Sequence, residues 1–131
     1  MSPIFDSIRF YLLPPLFYIV YIYMYIYIYI FTVYRLAAHA LANLSVNGTN
    51  QEIMANEGAI EMLISMLESD YELIQRQSAK ALANLGVNSA NKRKIALAGG
   101  IPKLVAVAKT NTVSIKIEAI AALANLAVNG K

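Results

Sequence analysis

The amino-acid sequence predicts an all-α fold, a right-handed helical solenoid over residues 35–131, with residues 1–34 as an apolar segment outside it. Three observations predict the solenoid. A segment of 41 residues repeats, each copy carries apolar residues at helical spacing, and glycines fall where one helix would give way to the next. Repeats of about this length with helical periodicity are typical of solenoids in which helices stack side by side.

The pentapeptide ALANL marks the repeat. It occurs three times, and its asparagines, Asn43, Asn84 and Asn125, follow one another at 41-residue intervals. Val-Asn comes shortly after each copy, and further pairs match at the same interval: Asn50 with Asn91, Gly58 with Gly99, Ile60 with Ile101, and Leu63 with Leu104. The chain therefore divides into a partial unit at 33–47, full units at 48–88 and 89–129, and the start of a next unit at 130–131.

Each full unit is expected to form a short, a medium and a long helix. The T-x-x-E motif at 49–52 and the S-x-x-E motif at 69–72 fit the capping box, in which a hydroxyl and a carboxylate satisfy free amides at a helix start. Gly58 and Gly99–Gly100 separate the first helix from the second. Pro102 suits the first turn of a second helix, where its missing N–H costs nothing.

The long helix carries the most informative pattern. The segment 110–112, Thr-Asn-Thr, opens its last copy, and apolar or small residues recur at i, i+4, i+8 and i+11, one stripe of an α-helix. This stripe should be buried, and it comprises Val33, Ala37, Leu41 and Leu44, then Ile74, Ser78, Leu82 and Leu85, then Ile115, Ala119, Leu123 and Leu126.

A second row, of mixed polarity, lies well off the apolar stripe. It comprises Leu36, His39 and Asn43, then Gln77, Lys80 and Asn84, then Glu118, Ala121 and Asn125. In stacked units, such rows align into a ladder across one surface.

These residues resemble the armadillo repeat family. The family pattern is Asn-x-x-x-Ile-x-x-x-Gly-Gly-Ile-Pro-x-Leu, followed by a long helix ending in Ala-Leu-x-Asn-Leu. Here it runs from Asn91 to Leu104 and ends at Ala122 to Leu126, while the first unit departs from it with Met54 for Ile and Glu61 for Pro. The resemblance covers residues 33–131. Within the family, residues 76–102 look most like the tail repeats of armadillo-repeat kinesins, and they are also similar to armadillo proteins of the vacuolar-scaffold type.

The resemblance implies a role for the asparagines. In armadillo proteins an asparagine of the third helix faces a concave groove and hydrogen-bonds the backbone of an extended peptide, and a carboxamide suits this because it offers both a donor and an acceptor. The implied partner is a protein, bound as an extended peptide or a helix. The groove residues expected here are Asn43, Asn84, Asn125, His39, Lys80, Gln77 and Glu118. The alternative is that the asparagines bond within the ladder, to each other or to neighbouring backbone.

One departure argues against a nuclear transport adaptor. Import receptors of this family carry Trp four residues before the groove asparagine, whereas those positions here hold His39, Lys80 and Ala121, and the chain has no Trp. The aromatic array that would stack on lysine side chains is therefore missing.

Composition disfavours catalysis and cofactors. The chain has no cysteine and one histidine, His39, and it lacks both a G-x-x-x-x-G-K-[ST] phosphate loop and a Gly-x-Ser-x-Gly elbow. We expect no enzymatic activity, no cofactor and no metal, and a kinesin motor is not in this chain. The net charge of +3 is too small to argue for nucleic acid.

Charge differs between the two full units. The unit 48–88 has two basic and six acidic residues, a net −4, whereas the unit 89–129 has six basic and one acidic residue, a net +5. A bipolar surface can steer a complementary partner, and ordinary variation between repeats is the alternative.

The segment from Leu16 to Tyr34 carries no charge over a length that suits a bilayer span. Two features argue against a span. The alternation of Tyr with Ile at 20–30 has the period of a β-strand, and tyrosine prefers the membrane interface to its centre.

The genetic code offers another origin for residues 20–30. TAT encodes Tyr and ATA encodes Ile, so a TATATA repeat read in frame gives alternating Tyr and Ile. Our hypothesis is that residues 1 to about 32 are intron or upstream DNA read as coding sequence, with a membrane anchor as the alternative. A membrane partner is expected only if residues 16–34 are expressed. The expected location is cytoplasmic and cytoskeleton-associated, or membrane-bound if the anchor is real, and the oligomeric state stays open.

Overall fold

The computed structural model describes residues 3–128, with side chains at residue 3 and at 15–128. The chain divides into two compact units, Met1–Tyr34 and Arg35–Lys131. The predicted start of a further repeat at 130–131 lies outside the described residues. Within those residues there are seven helices and no strand: α1 (Pro3–Leu44), α2 (Gly48–Asn56), α3 (Ala59–Met66), α4 (Glu72–Leu85), α5 (Ser89–Leu97), α6 (Gly100–Ala108) and α7 (Val113–Ala127).

The predicted all-α solenoid is confirmed. Helices α2, α3 and α4 are the short, medium and long helices of the first full unit, and α5, α6 and α7 repeat them. Gly58 and Gly99 separate the first two helices of each unit with φ of 85° and 83°, a left-handed conformation that side chains with a Cβ rarely adopt. Pro102 lies in the first turn of α6, as expected.

The helix starts differ from the prediction. Asn47 and Asn88 cap α2 and α5, and each Oδ1 accepts hydrogen bonds from the N–H groups two and three residues later, at 2.9 and 3.2 Å. Thr49 already lies inside α2, and Ser69 accepts from the N–H of Tyr71 ahead of α4. The capping-box prediction is therefore wrong for both motifs. At α2 the asparagine of the Val-Asn pair already occupies the N-cap, and at α4 the N-cap is Tyr71, two residues after Ser69.

The apolar stripe is buried only where its own unit covers it. In α4 all four stripe residues are buried, because α2 and α3 pack on that helix. In α7 Ile115 and Ala119 are buried, while Leu123 and Leu126 are half-buried. In α1 the prediction is wrong, since Val33 and Leu44 are about half exposed. The described residues contain no short and medium helix of that partial unit to cover them.

Buried polar side chains tie successive units together. The amide of Gln51 donates to the Ser45 carbonyl at 2.8 Å, and the amide of Asn91 donates to the Gln51 carbonyl at 3.1 Å. On the surface, the Lys103 ammonium pairs with the Glu68 carboxylate of the preceding unit. The Asn91–Gln51 bond and the Lys103–Glu68 pair join residues 40 and 35 positions apart, so they fix the register in which one full unit packs on the next.

The Tyr/Ile segment is helical, so the strand interpretation of its alternation is wrong. Residues 15–30 lie within α1 and are exposed. A helix pairs its backbone N–H and C=O groups within the segment, whereas a strand needs a neighbouring strand, which the described residues do not supply. Within those residues, Pro15–Leu44 is long and apolar enough to cross a membrane by length and composition, with a mean hydropathy of 1.9.

Equivalent positions in the two full units differ sharply in burial. Ile60 is 1% exposed and Ile101 is 41% exposed, and Ala79 is fully buried where its counterpart Ile120 is 52% exposed. The second unit covers the first, whereas no helix among the described residues covers the second. Each unit thus depends on its neighbour to bury one apolar face.

This asymmetry predicts different costs for the same substitution. Ile60→Ala should lower the free energy of unfolding by about 2–4 kcal/mol, since it opens a cavity between packed units. Ile101→Ala, its matched control, should cost less than about 1 kcal/mol because its side chain is already partly solvated. Urea unfolding followed by circular dichroism measures both, and equal losses would contradict the stacking described here.

Candidate functional site

The predicted ladder of asparagines lies on the long helices α1, α4 and α7. The amide of Asn84 donates to Ser45 Oγ at 3.0 Å, and the amide of Asn125 donates to the Ala83 carbonyl at 2.8 Å, so each is bonded to the preceding unit. Asn43 is exposed, and its side chain makes no hydrogen bond within the described residues. The in-ladder bonding considered from the sequence is therefore present for two of the three asparagines.

After these bonds are made, the side chains of Asn84 and Asn125 still have unused hydrogen-bond donors and acceptors. A carboxamide has two N–H donors and an oxygen with two lone pairs, and the ladder uses one donor of Asn84 and one of Asn125. Both side chains are half-buried, so part of each stays open to solvent. Bonding within the ladder and bonding to a ligand are compatible for the same side chain.

Next to the ladder, a cleft of about 340 Å³ lies between α4 and α7. It is lined by Arg76, Gln77, Lys80, Ser114, Ile117 and Glu118. The cleft brings together three residues predicted from the sequence, Gln77, Lys80 and Glu118. His39 and Asn43 are exposed on α1 and do not line it.

Three lining residues were not predicted. Arg76 lies one helical turn before Lys80 on the same face of α4, and Ile117 lies 41 residues after Arg76. Ser114 completes the wall that α7 contributes. Arg76 and Ile117 could have been found from the sequence, because each directly precedes a residue of the predicted mixed-polarity row, Gln77 and Glu118, at the same 41-residue interval.

The polar side chains of Arg76, Gln77, Lys80 and Glu118 have no hydrogen-bond or ion-pair partner within the described residues. Gln77 is only 5% exposed, yet its amide makes no hydrogen bond within the described residues. Arg76, Lys80 and Glu118 form no ion pair there either, with each other or with other groups. The cleft therefore offers an amide, two cations, a carboxylate and a hydroxyl to an incoming group.

A larger cavity of about 470 Å³ lies beside the turn between α3 and α4 and against α6. Its Lys103 and Glu68 pair with each other across the two units, which leaves it less unpaired charge. Among the described residues, no group of three His, Cys, Asp or Glu side chains could hold a metal ion.

The sequence and the fold are similar to those of known armadillo repeat proteins. The family model of the Armadillo/beta-catenin-like repeat matches residues 49–87. An engineered protein from the Northeast Structural Genomics Consortium is similar at 31% identity and a TM-score of 0.70, over 72% of this chain and 40% of that one. No curated protein matched the sequence.

Two further structures are designed proteins. One belongs to computationally designed armadillo repeat proteins for modular peptide recognition, and the other is a designed armadillo repeat protein in complex with the peptide (KR)4. Each is 26% identical with a TM-score of 0.66, over 70% of this chain and 39% of that one. The chain thus spans about two fifths of the length of these solved structures.

The ladder bonds predict a stability difference between asparagines. Asn84→Ala should lower the free energy of unfolding by about 1 kcal/mol, because the bond to Ser45 is lost from a half-buried site. Asn43→Ala should change it by less than about 0.5 kcal/mol, since this exposed side chain has no such bond. Chemical unfolding of the two variants checks this, and an equal loss from both would contradict the assigned bonding.

Proposed function

We propose that this chain, whose residues 49–87 match the armadillo repeat, is a non-catalytic module that binds a segment of a partner protein. The binding surface is the row on α1, α4 and α7 that holds Asn43, Asn84 and Asn125. The observation that carries the proposal is the ladder itself, in which one carboxamide per unit keeps open hydrogen-bonding groups at regular intervals along one surface.

The chemistry of an extended segment suits this surface. An extended chain presents backbone N–H and C=O groups that lack hydrogen-bond partners of their own. A single carboxamide can accept a hydrogen bond from the N–H and donate one to the C=O. The designed armadillo proteins that share this fold include one solved with the peptide (KR)4. That likeness supports a peptide as the class of ligand.

The test is to select peptides against the chain from a displayed random library and then to measure their affinity by fluorescence anisotropy. Asn43→Ala should weaken binding about tenfold, since it removes hydrogen bonds to the ligand without disturbing the fold. Asn111→Ala, an exposed asparagine off the ladder, is the matched control and should bind like the unaltered chain. Undiminished affinity in both Asn43→Ala and Asn84→Ala would overturn the proposal.

A finer proposal concerns the parent protein. The resemblance of residues 76–102 to the tail repeats of armadillo-repeat kinesins supports a cytoplasmic, cytoskeleton-associated location, and the likeness to vacuolar scaffolds supports a membrane-associated one. In both cases the solenoid carries the interaction while other parts of a longer protein would carry the remaining activity.

A membrane-tethered armadillo scaffold is the second candidate. It is favoured by the apolar, mostly exposed helical segment from Leu16 to Tyr34, whose 19 residues correspond to about 28 Å, close to the thickness of a hydrocarbon core. The intron hypothesis for residues 1 to about 32 is the competing account, and messenger reads that join these codons to codon 35 would exclude it.

Fractionation of cells that express the full chain separates the two locations. An anchored chain stays in the membrane pellet after alkaline carbonate extraction, and a chain that starts at residue 35 moves to the supernatant. Release of both chains into the supernatant would overturn the anchor and favour the cytoplasmic location.

A further inference from the structure

The charged residues of the cleft have the opposite sign to the net charge of the repeat unit to which each belongs. The unit 48–88 has a net charge of −4, and its only two basic residues, Arg76 and Lys80, both line the cleft. The unit 89–129 has a net charge of +5, and its only acidic residue, Glu118, lines the same cleft. Variation of surface charge between repeats does not account for three exceptions that converge on one place.

The cleft consequently has two walls of opposite sign. Arg76 and Lys80 are four residues apart on α4 and therefore lie on one face of that helix, while Glu118 projects from α7. The obvious structural role for such a set is an ion pair across the two units. No such ion pair is present, since none of the three side chains forms an ion pair within the described residues.

The amide of Gln77 adds a neutral hydrogen-bonding group. The residue is 5% exposed, and its amide has no hydrogen-bond partner within the described residues but is open to solvent. Because Gln77 lines the cleft on the α4 wall, beside Arg76 and Lys80, a ligand there can pair with it. Ile117 supplies an apolar surface on which the aliphatic stem of a long side chain can lie.

We propose that this cleft is a charge-reading subsite of the peptide groove, specific for a segment that carries an acidic and a basic side chain close together. The acidic side chain meets Arg76 and Lys80, with a guanidinium positioned for two hydrogen bonds to one carboxylate. The basic side chain meets Glu118. This inference rests on the function proposed above, since the ladder must hold the segment for the subsite to read it.

The spacing of the two ligand side chains follows from helix and strand geometry. Packed helices lie roughly 8–10 Å apart, and an extended chain advances roughly 3.3 Å per residue. The acidic and basic residues should therefore be separated by about two or three positions. A uniformly basic segment would place a cation against Arg76 and Lys80, which disfavours it at this step.

The test uses four synthetic fluorescent peptides. Three share one neutral background, in which one contains Glu-Ala-Lys, one contains Lys-Ala-Glu and one stays neutral, and the fourth is (KR)4. Binding to the full chain is measured by anisotropy. One of the two mixed-charge orders should bind about tenfold more tightly than the other three peptides. The preference should shrink from about 0.1 M to about 1 M salt as the screening length falls from about 10 Å to about 3 Å.

A charge-exchanged chain supplies the sharper result. In the triple variant Arg76→Glu, Lys80→Glu, Glu118→Lys, the preferred order should reverse, with folding checked by circular dichroism. Retention of the original order, or equal binding of both orders, would overturn the subsite. If the Asn43→Ala variant binds the neutral peptide more weakly in the same experiment, the proposed peptide groove is supported even when the subsite is overturned. If no peptide binds, the groove is overturned as well.

A last measurement separates a ligand subsite from a structural ion pair. Glu118→Gln should leave the midpoint of urea unfolding unchanged while it abolishes the preference between the two mixed-charge peptides. A lowered midpoint with unchanged preference would show that Glu118 joins the two units, and would overturn the proposal.

Discussion

The burial of one unit's apolar face against the next unit is the interaction on which the rest of the structure depends. Ile60 is fully covered because the second unit packs on it, and the equivalent Ile101 is open where no described helix follows. The buried amide of Asn91, bonded to the Gln51 carbonyl, holds the same two units in register. Hydrophobic burial supplies most of the stabilisation, and the buried polar bonds select a single alignment.

The functional surface is a consequence of that alignment. Because each unit repeats its neighbour's packing, α4 and α7 lie side by side, and Asn84 and Asn125 occupy equivalent places on them. The same alignment opens a cleft between these helices and brings Arg76, Lys80 and Glu118 to it. In the proposed function, the ladder supplies hydrogen bonds to any peptide backbone, whereas the charges at the cleft discriminate between side chains. General affinity and sequence preference thus belong to different residues of one surface.

Features that depend on local periodicity could be predicted from the sequence. The 41-residue interval, the left-handed glycines at 58 and 99, and the row that contains Gln77, Lys80 and Glu118 all follow from spacing within the chain. Features that depend on a neighbouring helix could not. Val33 and Leu44 of the stripe on α1 are exposed because no described helix covers them, and the lining of the cleft by Arg76 and Ile117 depends on how α4 meets α7. The helical state of the Tyr/Ile segment also ran against its β period.

The central claim is that the asparagine ladder holds a bound segment. The most direct test is nuclear magnetic resonance of the isotope-labelled chain, in which the side-chain amide signals are followed during titration with a selected peptide. The account predicts shifts of the Asn43, Asn84 and Asn125 amides, with the Asn111 amide unchanged. Shifts confined to residues of α2 and α5, with the ladder amides unmoved, would contradict it.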